Sequence, residues 1–237
     1  IGGTWRAVFL AMLAFALLLL LALWRAPETI ASRNPNALSL PTLAANARAI
    51  LAHPQSRYFM FVTIVGSSLM LSIISSVPRI YEQAFGIVGA PFALLFALHG
   101  VGIIVGQFIN HRLIGHVGIV GAALAASLLL LVSATGILIG ALADLLTAYT
   151  LTALLIGFAI GFLMVMANAS TMVLDPHGRM AGFAASFIGC IGQLFGSTIA
   201  TIVAVATAGR LVPWAAYLIV ASGGVAAMLA YWRWRTA

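Results

Sequence analysis

From residue 7 to residue 24 the chain runs eighteen positions without a charged or amide side chain, and six further apolar stretches follow. A bilayer core about 30 Å thick requires roughly 20 apolar residues per helix, because every backbone N–H and C=O must be satisfied inside the segment where no water is available. Stretches at 5–24, 58–80, 90–111, 117–141, 144–172, 180–206 and 211–232 meet that requirement, and each reads as a helix. The fold class expected is an all-α membrane protein with seven transmembrane helices.

Composition agrees with this reading. With 63% hydrophobic residues, 6% charged residues and a mean hydropathy of +1.16, the chain lacks the charge to cover a water-facing surface. Its formal charge of +7 comes from eleven arginines, with no lysine, against Glu28, Glu82, Asp144 and Asp175. The arginines are scattered over loops and helix ends without a basic groove or interleaved aromatics, so no nucleic-acid partner is expected. The anionic lipid surface is the better match for them. Cys190 is the single cysteine, which rules out an intrachain disulfide.

Counting arginines by loop sets the expected orientation. One side carries Arg25, Arg33, Arg48, Arg57, Arg112, Arg179, Arg233 and Arg235, and the other Arg6, Arg79 and Arg210. Positive residues gather on the cytoplasmic side, which places the C-terminus inside and, with an odd helix number, the N-terminus outside. Tyr231, Trp232 and Trp234 at the last interface, with Trp5 and Trp214 at outer ends, fit aromatic belts. The chain starts at Ile1 with no charged n-region of a signal peptide, and a fragment or processed piece is expected.

The one long connection, residues 25–57, holds Pro27, Pro35, Pro41 and Pro54. Within it Leu43, Ala47, Ile50 and Leu51 recur at helical spacing opposite Asn46 and Arg48, predicting a short helix that lies on the membrane surface or packs as a linker. The six later spans divide into two triplets without clear identity between them. Weak internal symmetry of that kind is common in transporters.

Four residues stand out as substrate-path candidates. Ser68 and Ser72, followed by Ser75 or Ser76, form one hydroxyl stripe along the second span. The stripe serves either as the polar wall of a path or as hydrogen-bonding glue within and between helices. In the sixth span Gly182, Ser186, Gly189, Gln193 and Gly196 make a small, polar face suited to close helix approach, and Gln193 carries an amide that glycines alone cannot satisfy. Gly157, Gly161, Met164 and Asn168 make a similar face in the fifth span, and Gly102 and Gly106 a packing pair in the third.

No carboxylate falls in the middle of a span, where transporters commonly keep a proton-relay acid; His99 is the one ionisable group well inside. A neutral, hydrogen-bonded histidine is expected there. Asp175-Pro176 reads as an N-cap and first-turn proline opening the sixth span, with Arg179 and Arg112 available to pair with acids or lipid. His111 and His116 lack a third metal ligand. Neither H-E-x-x-H nor G-x-S-x-G occurs, so no enzyme and no cofactor are expected. Without a lysine, a retinal Schiff base is excluded.

Ordered motifs across nearly the whole chain resemble the major facilitator superfamily, and within it the Bcr/CflA type of bacterial multidrug efflux protein. Trp5-Arg-Ala-Val-Phe9 is similar to the start of that family's sixth helix, and Pro27-Glu-Thr29 to its central loop. Ser76-Val-Pro78 through Gly86 and Phe92 is similar to its seventh-to-eighth connection, and Asn110-His-Arg-Leu113 to its eighth-to-ninth loop. Asn168-Ala-Ser170, Asp175-Pro-His-Gly178 and Ala181-Gly-Phe-Ala-Ala-Ser186 with Gly189 resemble the tenth-to-eleventh region.

The resemblance implies that residues 1–24 hold the last helix of an N-terminal bundle, 25–57 a cytoplasmic central loop and 58–237 a six-helix C-terminal bundle, with the first five helices of the family absent. It further implies part of a proton-coupled drug/proton antiporter of the bacterial inner membrane. The partners implied are hydrophobic or cationic drugs, protons, lipid and the missing N-terminal bundle. A seven-helix receptor and a truncated, non-transporting membrane piece are the alternative readings.

Overall fold

The computed structural model describes residues 5–25, 36 and 39–236, and among these every regular element is helical. Pro27-Glu-Thr29, Arg33 and Pro35, part of the expected central loop, lie outside the described residues. Contacts divide the chain into Ile1–Leu43 and Ala44–Ala237. The first unit holds helix α1 (Trp5–Trp24), whose apolar side chains from Val8 to Trp24 are largely exposed. Such a helix is stable only where lipid or other protein covers it.

Helix α2 (Leu40–Ala52) begins where the Ser39 hydroxyl accepts the Thr42 amide, and near its end Ile50 is fully buried in the core. The predicted linker helix therefore ends as a packed element of the second unit. Helix α3 (Pro54–Phe85) starts four residues before the expected span. His53 caps it by accepting the Ser56 amide, Pro54 occupies the first turn, and Gly86 at φ 66° closes it in the left-handed region that favours glycine.

Five helical runs are long and apolar enough to cross a membrane: Arg6–Trp24, Pro54–Phe85, Gly89–Leu142, Ala148–Thr207 and Leu211–Thr236. Two are too long for a single crossing, since 54 residues at 1.5 Å each extend about 80 Å. Helix α4 (Gly89–Leu142) breaks at Gly118, where φ 74° and ψ 172° lie in a region open essentially to glycine alone. The other long run is divided into α5 (Ala148–Leu174) and α6 (Ala181–Thr207) by a 3-10 turn, Asp175–Met180.

Approaches to α5 show what the break in α4 does. On its first arm, Gly102 and Gly106 come close to Ile156 and Ile160, an ascending register that makes this arm parallel to α5. On the second arm, Gly140, Gly136 and Ala126 meet Leu146, Leu154 and Gly161, a descending register that makes it antiparallel. The chain thus reverses at Gly118. Helix α7 (Leu211–Thr236) runs antiparallel to α3, as the pairs Tyr58–Met228, Ser68–Tyr217 and Ser72–Trp214 require. Trp214, Tyr81, Phe59 and Phe158 are the largest fully buried side chains of the core joining α3, α4, α5 and α7.

The expected N-cap at Asp175 is corrected by this geometry. Asp175 has helical φ/ψ and begins the 3-10 turn, while α6 starts only at Ala181 without a side-chain cap. The tighter turn reverses the chain before a new α-helix can be capped. Arg112, expected in a loop, is helical and exposed on the first arm of α4.

Candidate functional site

A groove of about 250 Å³, with a mixed polar and apolar lining, opens between α3, α5 and α6. Thr63 and Ser67 of α3, Ser170 of α5 and Gln193 of α6 supply its hydrogen-bonding groups, while Met166, Ile188 and Leu174 are among its apolar walls. Thr63 returns its hydroxyl proton to the Met60 carbonyl, as helix hydroxyls commonly do. Gln193 is exposed and, among the described residues, makes no hydrogen bond. An amide with two donors and one acceptor thus faces the groove.

Close approach of α3 and α6 forms one edge of the groove. A Cβ on Gly196 would lie 2.7 Å from Ser67 Cβ and 3.1 Å from the Ser67 carbonyl carbon, so only glycine fits without moving backbone. At Gly192, one turn nearer the groove, a Cβ would meet the Ser67 hydroxyl at 3.1 Å. The small-residue face read from the sixth span is therefore half helix seam and half groove wall, with Gln193 on the groove side.

The other three substrate-path candidates sit elsewhere. Ser68 gives its proton to the Val65 carbonyl at 2.7 Å and accepts from the Tyr217 hydroxyl at 2.7 Å. Ser72, fully buried, accepts from the Trp214 indole at 2.9 Å. Both belong to the α3–α7 seam, the gluing role the stripe also allowed. Asn168 is buried and exchanges amide hydrogen bonds with Asn110, donating at 2.7 Å and accepting at 3.4 Å. Gly161 and Met164 of the same face are buried as well, with Gly161 against the second arm of α4. Within that helix the groove is lined by Ser170 instead.

Periodicity does not single out Ser67 because neighbouring serines compete for the same signal, and in α5 the stronger polar signal is the amide of Asn168 rather than Ser170. Thr63 and Ser67 are four apart, as Ser68 and Ser72 are, and the two stripes differ by one 100° step around α3. Periodicity alone does not tell which faces a cavity.

The remaining polar candidates lie outside this groove. His99 is buried with Nδ1 on the Phe96 carbonyl at 3.0 Å, and its Nε2 has no partner among the described residues. Asp175 and Arg179 are exposed on the 3-10 turn and form no ion pair among the described residues. Between them, His177 is buried, and its Nε2 lies 2.9 Å from the Ser56 hydroxyl. Ser56 donates to the Val173 carbonyl at 3.1 Å, so His177 Nε2 is the donor and Ser56 the acceptor. The His53 and His177 rings stand edge to face with centroids 5.5 Å apart. Burial, and then the nearby His53, hold the His177 imidazole below its ordinary range. No group of three metal-ligating side chains occurs among the described residues.

A family model described as Major Facilitator Superfamily matches residues 1–201 of the chain. The chain is also 26% identical over 216 residues to YdgK of Bacillus subtilis strain 168, an uncharacterised MFS-type transporter; the match covers 86% of this chain and 50% of that protein. The chain spans about half the length of the curated relative it matches. No solved structure matches it.

Proposed function

The chain belongs to the major facilitator superfamily, and from that premise we propose that it supplies one wall of a transmembrane transport path, centred on the groove between α3, α5 and α6. The observation that carries this reading is the placement of Ser67, Ser170 and Gln193 on three different helices around one cavity, in a chain of which only 6% of residues are charged. Gln193 is exposed and Ser67 and Ser170 are half-buried, and none has a hydrogen-bond partner among the described residues, so their donors and acceptors are available to a solute or water in the groove.

The membrane topology proposed has seven crossings: α1, α3, the two arms of α4, α5, α6 and α7. The N-terminus lies outside and the C-terminus in the cytoplasm of a bacterial inner membrane, following the arginine asymmetry. In this reading residues 58–237 form a six-helix bundle that works with a second bundle contributed by chain outside this sequence. The cargo is a hydrophobic or cationic drug exchanged for protons, and the proton-binding carboxylate belongs to the second bundle, since Glu82, Asp144 and Asp175 stand at helix ends.

Alanine at Gln193 and at Ser67 in the full-length protein tests the proposal. Altered drug resistance at unchanged expression is the expected result. Unchanged resistance to every compound tried, with both variants expressed, would reject the groove as the path. A receptor or a non-transporting piece would likewise show no substrate flux in proteoliposomes.

A further inference from the structure

On the opposite side of α6 from Gln193 lies a second cavity of about 540 Å³, with only apolar side chains in its walls. Phe195, Ile191 and Ile199 of α6 face Phe61 and Ile64 of α3, and Leu51 of α2 stands at one end. Phe61 and Phe195 are each about half exposed, so within the second unit their outer faces are uncovered. Along α6 the trough runs from Phe187 to Ile199, twelve residues or about 18 Å. That length is close to the depth of one leaflet, about 15 Å or half of the hydrocarbon core, and well short of the whole membrane.

The end marked by Leu51 is the charged one. Arg48 precedes Leu51 by three residues on α2, and Arg57 precedes Phe61 by four on α3, so each arginine shares a helix face with a residue of the trough. Both are exposed and unpaired among the described residues. No carboxylate occurs on α2 or α6, and the one on α3, Glu82, lies at its far end, 25 residues and about 37 Å from Arg57. A transmembrane helix laid into the trough would need the full thickness, whereas the trough spans about half of it. A lipid needs one leaflet and brings its own anion.

We propose that this trough holds one acyl chain of an anionic phospholipid, whose phosphate sits between the Arg48 and Arg57 guanidiniums. The site is separate from the groove between α3, α5 and α6 and stands independently of the transport reading. Bound there, the lipid joins α2 to the α3–α6 pair through chain packing and charge-assisted hydrogen bonds.

The test uses the full-length protein in phosphatidylcholine vesicles doped with phosphatidylglycerol or phosphatidylcholine carrying the same photoreactive acyl chain, with adducts located by mass spectrometry. Adducts at Phe61, Ile64 and Ile191, several-fold more abundant from phosphatidylglycerol and competed by unlabelled phosphatidylglycerol, are expected. Arg48→Ala with Arg57→Ala brings that labelling down to the phosphatidylcholine level, and Ile64→Trp with Ile191→Trp fills the trough and abolishes both. Equal labelling by the two lipids, or adducts confined to other faces, overturns the proposal. So does an introduced cysteine at 64 or 191 cross-linking to another helix of the protein. The comparison of the two lipids on the unaltered protein decides the matter even if a variant fails to fold.

Discussion

Asn110 and Asn168 exchange two side-chain hydrogen bonds, 2.7 and 3.4 Å, while both are almost completely buried between the first arm of α4 and α5. In hydrocarbon an amide left without its partner is costly, and reciprocal pairing satisfies a donor and an acceptor on each side at once. The pair lies one turn beyond Gly106, whose lack of a Cβ lets the two backbones approach. It joins two parallel helices at a fixed register.

Asn168→Ala is therefore expected to lower stability by about 1 kcal/mol, within the range measured for interhelical hydrogen bonds in membranes. Asn110→Ala should do the same, and the double variant should cost clearly less than the sum, because neither single variant then leaves an orphaned amide. Thermal unfolding of the detergent-solubilised protein reads the cycle. Additive losses would show that the two amides act separately.

Ser72→Ala removes the acceptor of the buried Trp214 indole. A loss of about 1–3 kcal/mol is expected, the cost of an unsatisfied buried donor, together with a shift in tryptophan emission. On the proposed transport reading, the substrate profile of the full-length protein should stay unchanged, since this serine lies in the α3–α7 seam. A changed profile would move Ser72 back into the path.

Gly196→Ala and Gly192→Ala separate the two uses of the α6 face. The first drives a methyl into the backbone of Ser67 and is expected to cost about 1–3 kcal/mol as overpacking. The second meets a hydroxyl that can rotate aside, so its melting temperature should stay near that of the parent, while solute contact in the groove changes. Equal destabilisation by the two would contradict the seam and groove assignment.

A pH dependence follows from His177. Its pKa lies below the ordinary histidine value in the closed structure, so the opened form takes up a proton first and falling pH favours opening. The stabilising effect is complete above about pH 6.5 and is lost below it. Arg57 follows Ser56 in the chain and Asp175 and Arg179 flank His177, but none is ion-paired among the described residues to offset an added charge. Hydrogen exchange at the start of α3 should therefore rise several-fold between about pH 7.5 and about pH 5.5, beyond the intrinsic trend. His177→Asn keeps a donor toward Ser56 and should flatten the response. An identical response in that variant would assign it elsewhere.

Helix positions were largely legible in the sequence, because an apolar run of bilayer length admits few other structures. The span read as 90–111 and the next, 117–141, emerge as two arms of α4, and 211–232 lies within α7. The site was legible only in part. Gln193 stood out as an amide without a sequence-local partner, and it lines the groove. Ser68, Ser72 and Asn168 carried the same polarity, yet their partners Tyr217, Trp214 and Asn110 lie 149, 142 and 58 residues away. Helical spacing shows which residues share a face. The tertiary fold decides which helix that face meets.

Gly118 carries a consequence for everything that follows it in the chain. Its backbone setting admits a hydrogen where other residues bear carbon, and there the path doubles back instead of running on. On the proposed topology, a bulkier substitute that straightened the joint would turn two strokes across the lipid into one and invert the sidedness of each later segment. Arg179, Arg233 and Arg235 would then emerge on the far face, against the bias that governs insertion. One missing methyl group thereby sets the odd or even parity of the whole downstream weave.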